Sequence, residues 1–177
     1  MLAAALCVVL QPAAAQESRE FSSQGLPGSE GVAVRVSHPS HWKKVEVDDE
    51  MALAELRGTR GHLTGILQVG RGQLRHDMAS ACAPERARTM LQNLAAEDAD
   101  ARVMEVFARR HEGRAAYEVR YERKHPSAFM AVRSLIVCLK DSRVVVSCGA
   151  LGPAKALLSE MEPVCRQVLE SVRISED

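Results

Sequence analysis

The most constraining feature of this chain is a run of four strand-patterned segments between residues 102 and 149, joined by short turns. The turn signals are Glu112-Gly113, His125-Pro126-Ser127 and Asp141-Ser142. Consecutive strands with such short connections pair antiparallel. Residues 135–139 and 144–146 are apolar at every position, so we expect these two strands to be buried on both faces of a sheet.

The rest of the chain adds further strands and two helices to this sheet. Strand patterns cover Val32 to Val36, 42–47, 51–56 and 63–69. Ser80 is a candidate N-cap for a helix that ends near Glu97. A last helix is expected to begin at Pro153, with a kink at Pro163. The sequence therefore predicts an α+β protein, with a mostly antiparallel sheet of about six strands and a helix on each face.

The first 15 residues have the pattern of a secretory signal peptide. An apolar core at 2–10 is followed by Pro12 and by three alanines that end at Ala15, which predicts cleavage after Ala15 and a periplasmic or secreted protein. The apolar run is shorter than the roughly 20 residues that span a membrane. Residues 16–30 are polar and predict a flexible lead-in, and residues 31–177 predict a single domain.

Charge and aromatic content disfavour two classes of partner. The chain has 23 basic and 23 acidic residues, whereas nucleic-acid and anionic-membrane binders carry a basic excess or a basic face. Aromatic residues make up 3% of the chain, which is sparse for a base-stacking platform. We therefore expect no nucleic-acid partner.

Three local motifs resemble those of the PsbP-like family. They are His38-Pro39-Ser40-His41-Trp42-Lys43, Gly113-Arg114-Ala115-Ala116-Tyr117 and Leu169-Glu170-Ser171-Val172-Arg173-Ile174. They are similar to that family's opening Tyr-Pro-x-x-Trp-x segment, its Gly-Arg-x-Ala turn and its closing segment, and the resemblance spans residues 31–174. It implies an α-β-α sandwich around an antiparallel sheet, and a binding or assembly role without catalysis.

Four cysteines remain after the predicted cleavage: Cys82, Cys138, Cys148 and Cys165. In an oxidising compartment they predict two disulfides, with three possible pairings. A two-residue loop at Asp141-Ser142 would place Cys138 and Cys148 on opposite faces of the sheet. A helix that runs back from Pro153 would bring Cys165 level with Cys138. The prediction is therefore Cys138–Cys165 and Cys82–Cys148, and a Cys82–Cys165 bond with two free thiols is the alternative.

The candidate binding residues have both structural and functional interpretations. His38 and His41 flank a turn and, with His62 or His76, could hold a divalent metal, but no known ligand spacing is present, and exposed turn histidines are the simpler interpretation. Trp42 is expected to be a core anchor. Basic residues that face each other around the Gly113 turn form either a patch for an acidic partner or a protected sheet edge. The candidate binding surface comprises His38, His41, Trp42, Arg109 and Arg120.

No nucleophile, phosphate-loop or dinucleotide motif is present, so we predict no catalytic residues, no metal and no cofactor. The leading hypothesis is a non-enzymatic periplasmic or secreted domain that binds a protein partner or supports an assembly of the cell envelope. The alternative is a carrier of a small ligand or lipid, with a cavity between the sheet and one helix. The small residues Ala79, Ala81 and Ala83 would leave room for that cavity.

Overall fold

The computed structural model of the chain describes residues 17–47, 49, 51–73, 83, 85, 88–89, 92, 96, 100–125, 127–155 and 159–176. The predicted leader, 1–15, lies outside these residues. So does most of the predicted helix from Ser80 to Glu97.

The described residues form ten strands in two antiparallel sheets, and one helix. The strands are β1 (Ser18–Ser22), β2 (Val32–Pro39), β3 (Lys43–Val45), β4 (Ala52–Arg60), β5 (Leu63–Gln73), β6 (Ala101–His111), β7 (Arg114–His125), β8 (Ala128–Cys138), β9 (Ser142–Gly152) and β10 (Arg173–Glu176), and the helix is α1 (Glu162–Glu170). The large sheet has the strand order β3-β4-β5-β9-β8-β7-β6, and the small sheet has the order β1-β2-β10.

The four consecutive strands of the 102–149 region pair antiparallel, as their short connections predict. The β8–β9 turn centres on Lys140-Asp141, one residue earlier than expected, because Leu139 N–H donates to Ser142 O and Cys138 pairs with Arg143. Strands β6 to β9 form one antiparallel meander, and β3 to β5 form another. Because β5 pairs with β9, the two meanders form one continuous sheet. Leu135, Val137, Val144 and Val146 are fully buried in the centre of the resulting sheet.

The fold starts earlier than the sequence suggests. Residues 16–30 were expected to be a flexible lead-in, but Ser18–Ser22 pair with β2, with Phe21 opposite Val36. On its other side β2 pairs with β10, with Val34 opposite Ile174. The small sheet therefore brings the two ends of the described chain together.

The main core lies between one face of the large sheet, α1 and the small sheet. Its buried members come from all three layers and include Val34, Trp42, Leu67, Leu135, Val146, Leu169, Val172 and Ile174. Trp42 is buried, as expected, across Gly58 and Gly65, where an added Cβ would overlap the indole ring. These two glycines leave the space that the largest core side chain occupies.

The predicted fold class is wrong, because the layers on the faces of the large sheet differ from those expected. Instead of an α-β-α sandwich with about six strands and helices on both faces, the described chain has two sheets, with α1 and the small sheet covering one face of the large sheet. Hydrophobic period identifies strands but not their pairing partners. The alternation of β2 is the same whether it pairs in a central sheet or with β1 and β10.

The last helix begins later than predicted, and Pro163 opens it rather than kinking it. Met161 is the N-cap residue and Pro163 lies in the first turn, where its missing N–H breaks no helical hydrogen bond. Cys165 is therefore near the start of the helix. It lies against β9 instead of about 18 Å further along the sheet.

The predicted disulfide pairing is wrong for the same reason. Cys148 is bonded to Cys165, so neither Cys138–Cys165 nor Cys82–Cys148 forms, and the Cys82–Cys165 alternative is excluded. Cys148 and Val146 belong to the core against which α1 packs. Cys138 is disulfide-bonded as well, and its partner lies outside the described residues.

Candidate functional site

A group of charged side chains lies on the helix-facing side of β6, β7 and β8, beside the start of α1. It consists of Arg109, Glu118, Arg120, Arg133 and Glu162, and is called the charged network below. Directly paired residues of an antiparallel sheet point to the same face. Arg120 pairs with Arg133, and Ala116 pairs with both Arg109 and Val137, so the strand register collects these side chains on one face.

Glu118 is the centre of the charged network. Its side chain is 3% exposed, and its two oxygens pair with different arginines: Arg109 Nη1 at 2.8 Å and Arg133 Nε. Arg133 also pairs with Glu162 of α1. Burial lowers the pKa of Arg133, but its hydrogen bonds to Glu118 and Glu162 and their negative charges outweigh burial and raise that pKa. Arg133 therefore stays charged and links the sheet to the helix.

Arg120 is the exposed member of the charged network. Its side chain is 39% exposed, and Nη1 lies 3.3 Å from Glu105 Oε2. Its Nη2 is 3.9 Å from Glu162 Oε2, which is beyond hydrogen-bonding distance. The guanidinium is thus held in place from two sides while it still has donors that face solvent.

Two exposed apolar side chains lie beside the charged network. Phe107, on β6, pairs with Glu118 and is 38% exposed. Met104 is 40% exposed and sits at the irregularity between Val103 and Glu105, where the register of β6 shifts against β7. A bulge of this kind redirects a side chain and occurs often near functional sites. Arginine, aromatic and methionine side chains are enriched in protein interfaces relative to the rest of the protein surface.

The space between α1 and the large sheet is small. A cavity of about 30 Å³, lined by Arg120, Ala131, Arg133, Met161 and Cys165 among others, has room for about one water. A larger hollow of about 730 Å³ lies along β3, β4 and the loop between them, away from α1. Of the alanines that suggested a carrier cavity, Ala79 and Ala81 lie outside the described residues.

The sequence-predicted surface residues fall in two separate places. His38 and Trp42 are buried, and His38 Nδ1 lies 2.9 Å from Pro39 O. His41 is exposed and meets the Trp42 ring edge-on, with 6.5 Å between ring centroids. Arg109 and Arg120 lie on β6 and β7, at the opposite edge of the large sheet from β3. The structure therefore brings the two arginines together but does not join them to the His38–Trp42 segment.

Sequence reasoning missed Glu118, Arg133 and Glu162. A signal was available for Glu118, because it is two residues from Arg120 and so shares a face of the strand with it. Arg133 could not be placed beside them without the register of β8 against β7. Glu162 could be placed only once the start of α1 was known.

The Gly-Arg-x-Ala motif forms the turn between β6 and β7 and docks on β10. Glu112 and Gly113 both have positive φ, 50° and 80°, as a type I′ hairpin turn requires. Ile174 N–H donates to Glu112 Oε2 at 3.0 Å, and Arg114 pairs with Glu176 at 3.1 Å. The turn at the start of one family motif and the strand at the end of another therefore contact each other and join the two sheets.

His111, just before this turn, is buried, and its Nε2 has no hydrogen-bond partner among the described residues. Burial lowers its pKa, with a further lowering by the charges of Arg109 and Arg173. The charge of Glu112 and a hydrogen bond with the backbone of Val172 act in the other direction. The neutral imidazole is therefore the form that fits the fold.

The residues that the structure describes contain no group of three or more His, Cys, Asp or Glu side chains placed to hold a metal ion. Among the same residues, no helix is both long enough and apolar enough to cross a membrane.

Comparison with known proteins shows the fold. No protein-family model matches the sequence, and no curated protein matches it. Cyanobacterial PsbP (CyanoP) of Synechocystis sp. PCC 6803 superposes with a TM-score of 0.62 at 14% identity, over 98% of this chain and 99% of that one.

Two further solved structures are similar. LpqN of Mycobacterium tuberculosis, described as involved in cell envelope biogenesis, has a TM-score of 0.57 at 15% identity, over 89% of this chain and 91% of that one. The Ran-binding protein Mog1p of Saccharomyces cerevisiae has a TM-score of 0.57 at 8% identity, over 90% and 96%. Likeness at such low identity shows the fold alone. The chain therefore has the PsbP-like fold that its motifs indicated.

Proposed function

We propose that this protein is a non-enzymatic binding domain that engages a protein partner through the charged network and the adjacent Met104 and Phe107. The observation that carries the proposal is the position of Phe107. The exposed ring of Phe107 lies beside Glu118, the buried carboxylate that holds both Arg109 and Arg133. Arginine and aromatic anchors contribute most of the affinity in many protein interfaces.

The charged network prepares this surface for binding. Arg109 is held by the buried Glu118, and Arg120 is held between Glu105 and Glu162. A side chain that is already ordered loses less conformational entropy when it binds. Arg120 keeps donors for a carboxylate or carbonyl of a partner, while Phe107 and Met104 supply apolar contact.

The place of action that we propose is the periplasm or the extracellular space. The signal-peptide pattern of residues 1–15 and the fold likeness to LpqN, which is described as involved in cell envelope biogenesis, support it. The likeness to a Ran-binding protein supports partner binding as a use of this fold. Enzymatic activity forms no part of the proposal.

Site-specific photocrosslinking tests the proposal. A photoreactive benzoylphenylalanine replaces Phe107 in the protein expressed in its native host, and the matched control carries it at Met51, which is 57% exposed and follows β3. We expect a discrete crosslinked protein from position 107 that is absent from position 51. It should be lost when Arg120→Glu is added.

Three results would contradict the proposal. They are the absence of any crosslink at 107, the same products from both positions, and a product that Arg120→Glu leaves unchanged. Circular dichroism of each variant shows that the fold is kept.

A further inference from the structure

We propose that the free edge of β6 takes up an extended, acidic segment of the partner as an additional strand of the large sheet. This inference rests on the proposed function, because it uses the same end of the molecule and specifies the chemistry of the partner. Strand addition to an exposed sheet edge is a general mode of peptide recognition.

The large sheet ends in two very different edge strands. β3 has three residues, whereas β6 has eleven. Most residues of β6 are exposed, including Phe107, Ala108 and Arg110. A long exposed edge presents a row of backbone donors and acceptors to which another strand can pair.

The hairpin geometry shows which backbone groups of β6 point away from β7. In a two-residue type I′ hairpin the flanking pair, here His111 and Arg114, is hydrogen-bonded across the strands. Since such pairs alternate along antiparallel strands, Arg109, Phe107 and Glu105 bond inward to β7. The N–H and C=O groups of Arg110, Ala108 and Val106 therefore point to the free edge.

One contact supports this assignment. The guanidinium of Arg88 lies over the edge, with Nη2 3.4 Å from Val106 O. A side chain that reaches the carbonyl of Val106 from outside the sheet requires that carbonyl to point away from β7. A hollow of about 450 Å³ runs along this stretch, lined by Arg88, Gln92 and residues 103–107.

Charge determines which segment fits. Three arginines stand along the edge: Arg102 near its start, Arg88 over Val106 and Arg110 near its end. The structure gives none of them a carboxylate partner among the described residues, whereas Glu105 and Arg109 of the same strand both have ion-pair partners. A segment with carboxylates at alternate positions would place them near Arg110 and Arg88, whereas Arg102 points to the opposite face from Arg110. The backbone of the segment pairs with Ala108 and Arg110 and displaces the guanidinium of Arg88 from the carbonyl of Val106.

The test uses a substitution that changes the outer edge of β6 and keeps the hydrogen bonds between β6 and β7. Ala108→Pro removes an outward N–H but no hydrogen bond to β7, and proline is tolerated on edge strands in this orientation. Ala108→Val is the matched control, because it adds a side chain and keeps the N–H. Arg88→Glu combined with Arg110→Glu is a second variant that leaves the backbone unchanged.

The probe is a fluorescent hexapeptide of alternating aspartate and valine, with a lysine–valine peptide as its counterpart. By fluorescence anisotropy, we expect the acidic peptide to bind at least tenfold more tightly than the basic one, and more weakly as salt is added. Ala108→Pro and the double arginine variant should each lose at least tenfold in affinity, and Ala108→Val should not. Backbone amide signals of Val106, Ala108 and Arg110 should shift on binding in NMR spectra.

Several outcomes would overturn the inference. They are equal binding of both peptides, no binding of either, unchanged affinity of Ala108→Pro, and a dimer of the free protein that Ala108→Pro dissociates, which would make a second copy the occupant. A crosslink from position 107 that persists in Ala108→Pro would refute strand addition and leave the proposed function standing. If position 107 gives no crosslink in the protein whose β6 edge is unaltered, the proposed function itself is refuted.

Discussion

On the helix-facing side of the large sheet, β4, β5 and β9 carry Leu56, Leu67, Val144 and Val146, which are almost completely buried. On the same side of the same sheet, β6 and β7 carry Glu105, Arg109, Glu118 and Arg120, which are joined by ion pairs and in part exposed. The first group is covered by α1 and the small sheet, whereas the second extends beyond this cover. One half of the face is therefore an apolar core, and the other half consists of charged side chains joined by ion pairs.

The largest expected effect lies in the packed half, at Trp42. Trp42→Ala should lower the free energy of unfolding by about 3–5 kcal/mol, because it removes the largest core side chain and leaves a cavity over Gly58 and Gly65. Urea unfolding followed by circular dichroism measures the change. His41→Ala is the matched control, and its effect should stay below about 0.5 kcal/mol, because His41 is exposed. A similar cost for both variants would refute the assignment of Trp42 as the core anchor.

The second largest effect is expected at the Cys148–Cys165 disulfide of the packed half. Replacement of Cys148 and Cys165 together by alanine should cost about 3 kcal/mol of stability, because the bond closes a loop of 17 residues. Thermal unfolding of the double variant measures this cost. Peptide mapping without reduction should find the Cys148 and Cys165 peptides linked, and a Cys138–Cys165 link would show that the pairing is different.

A smaller effect distinguishes buried from exposed carboxylates within the charged half. Glu118→Gln should lower the free energy of unfolding by about 2 kcal/mol, because it replaces the buried carboxylate that pairs with both Arg109 and Arg133 by a neutral amide. Glu105→Gln is the matched change at an exposed position and should cost less than about 1 kcal/mol. The comparison is made by urea unfolding at low and high salt. If both substitutions lower the free energy of unfolding by the same amount, the ion pairs of Glu118 contribute no more to stability than those of an exposed carboxylate.

The smallest expected effect is the pH dependence of His111. Burial lowers its pKa in the folded protein, so the unfolded chain binds a proton more readily than the folded chain. The stability that depends on the neutral imidazole is complete above about pH 6.5 and declines as the pH falls below that value. His111→Gln should remove this decline.

The measurement is the difference in the free energy of unfolding between wild type and His111→Gln at pH 7.5 and at pH 5.5. The wild type should lose more stability than the variant over this interval. Equal losses would show that His111 does not titrate in a buried site.

The candidate site could be predicted only in part. Arg109 and Arg120 are identifiable as basic residues on facing strands around the Gly113 turn, and Trp42 as a core anchor. The grouping of Arg109 with Glu118, Arg133 and Glu162 depends on two strand registers and on the start of a helix. A shift of one residue in a register moves every side chain of a strand to the other face. His38 and His41 do not lie beside the two arginines in the structure. The sequence could not show this, because it does not indicate which strands form the edges of the sheet.

The local sequence pattern is sufficient to identify the strands from β2 to β9, the antiparallel pairing from residue 102 to residue 149, and the three motifs that indicate the PsbP-like fold. These follow from local physics, because side-chain period, turn residues and short connections act over a few positions. The tertiary structure is needed to show that β2 pairs with β1 and β10, that Cys165 bonds Cys148, and that β6 is the last strand of the large sheet among the described residues. Each of these depends on contacts between residues far apart in the chain, and several arrangements of the same local pattern satisfy the sequence equally well until the core selects one.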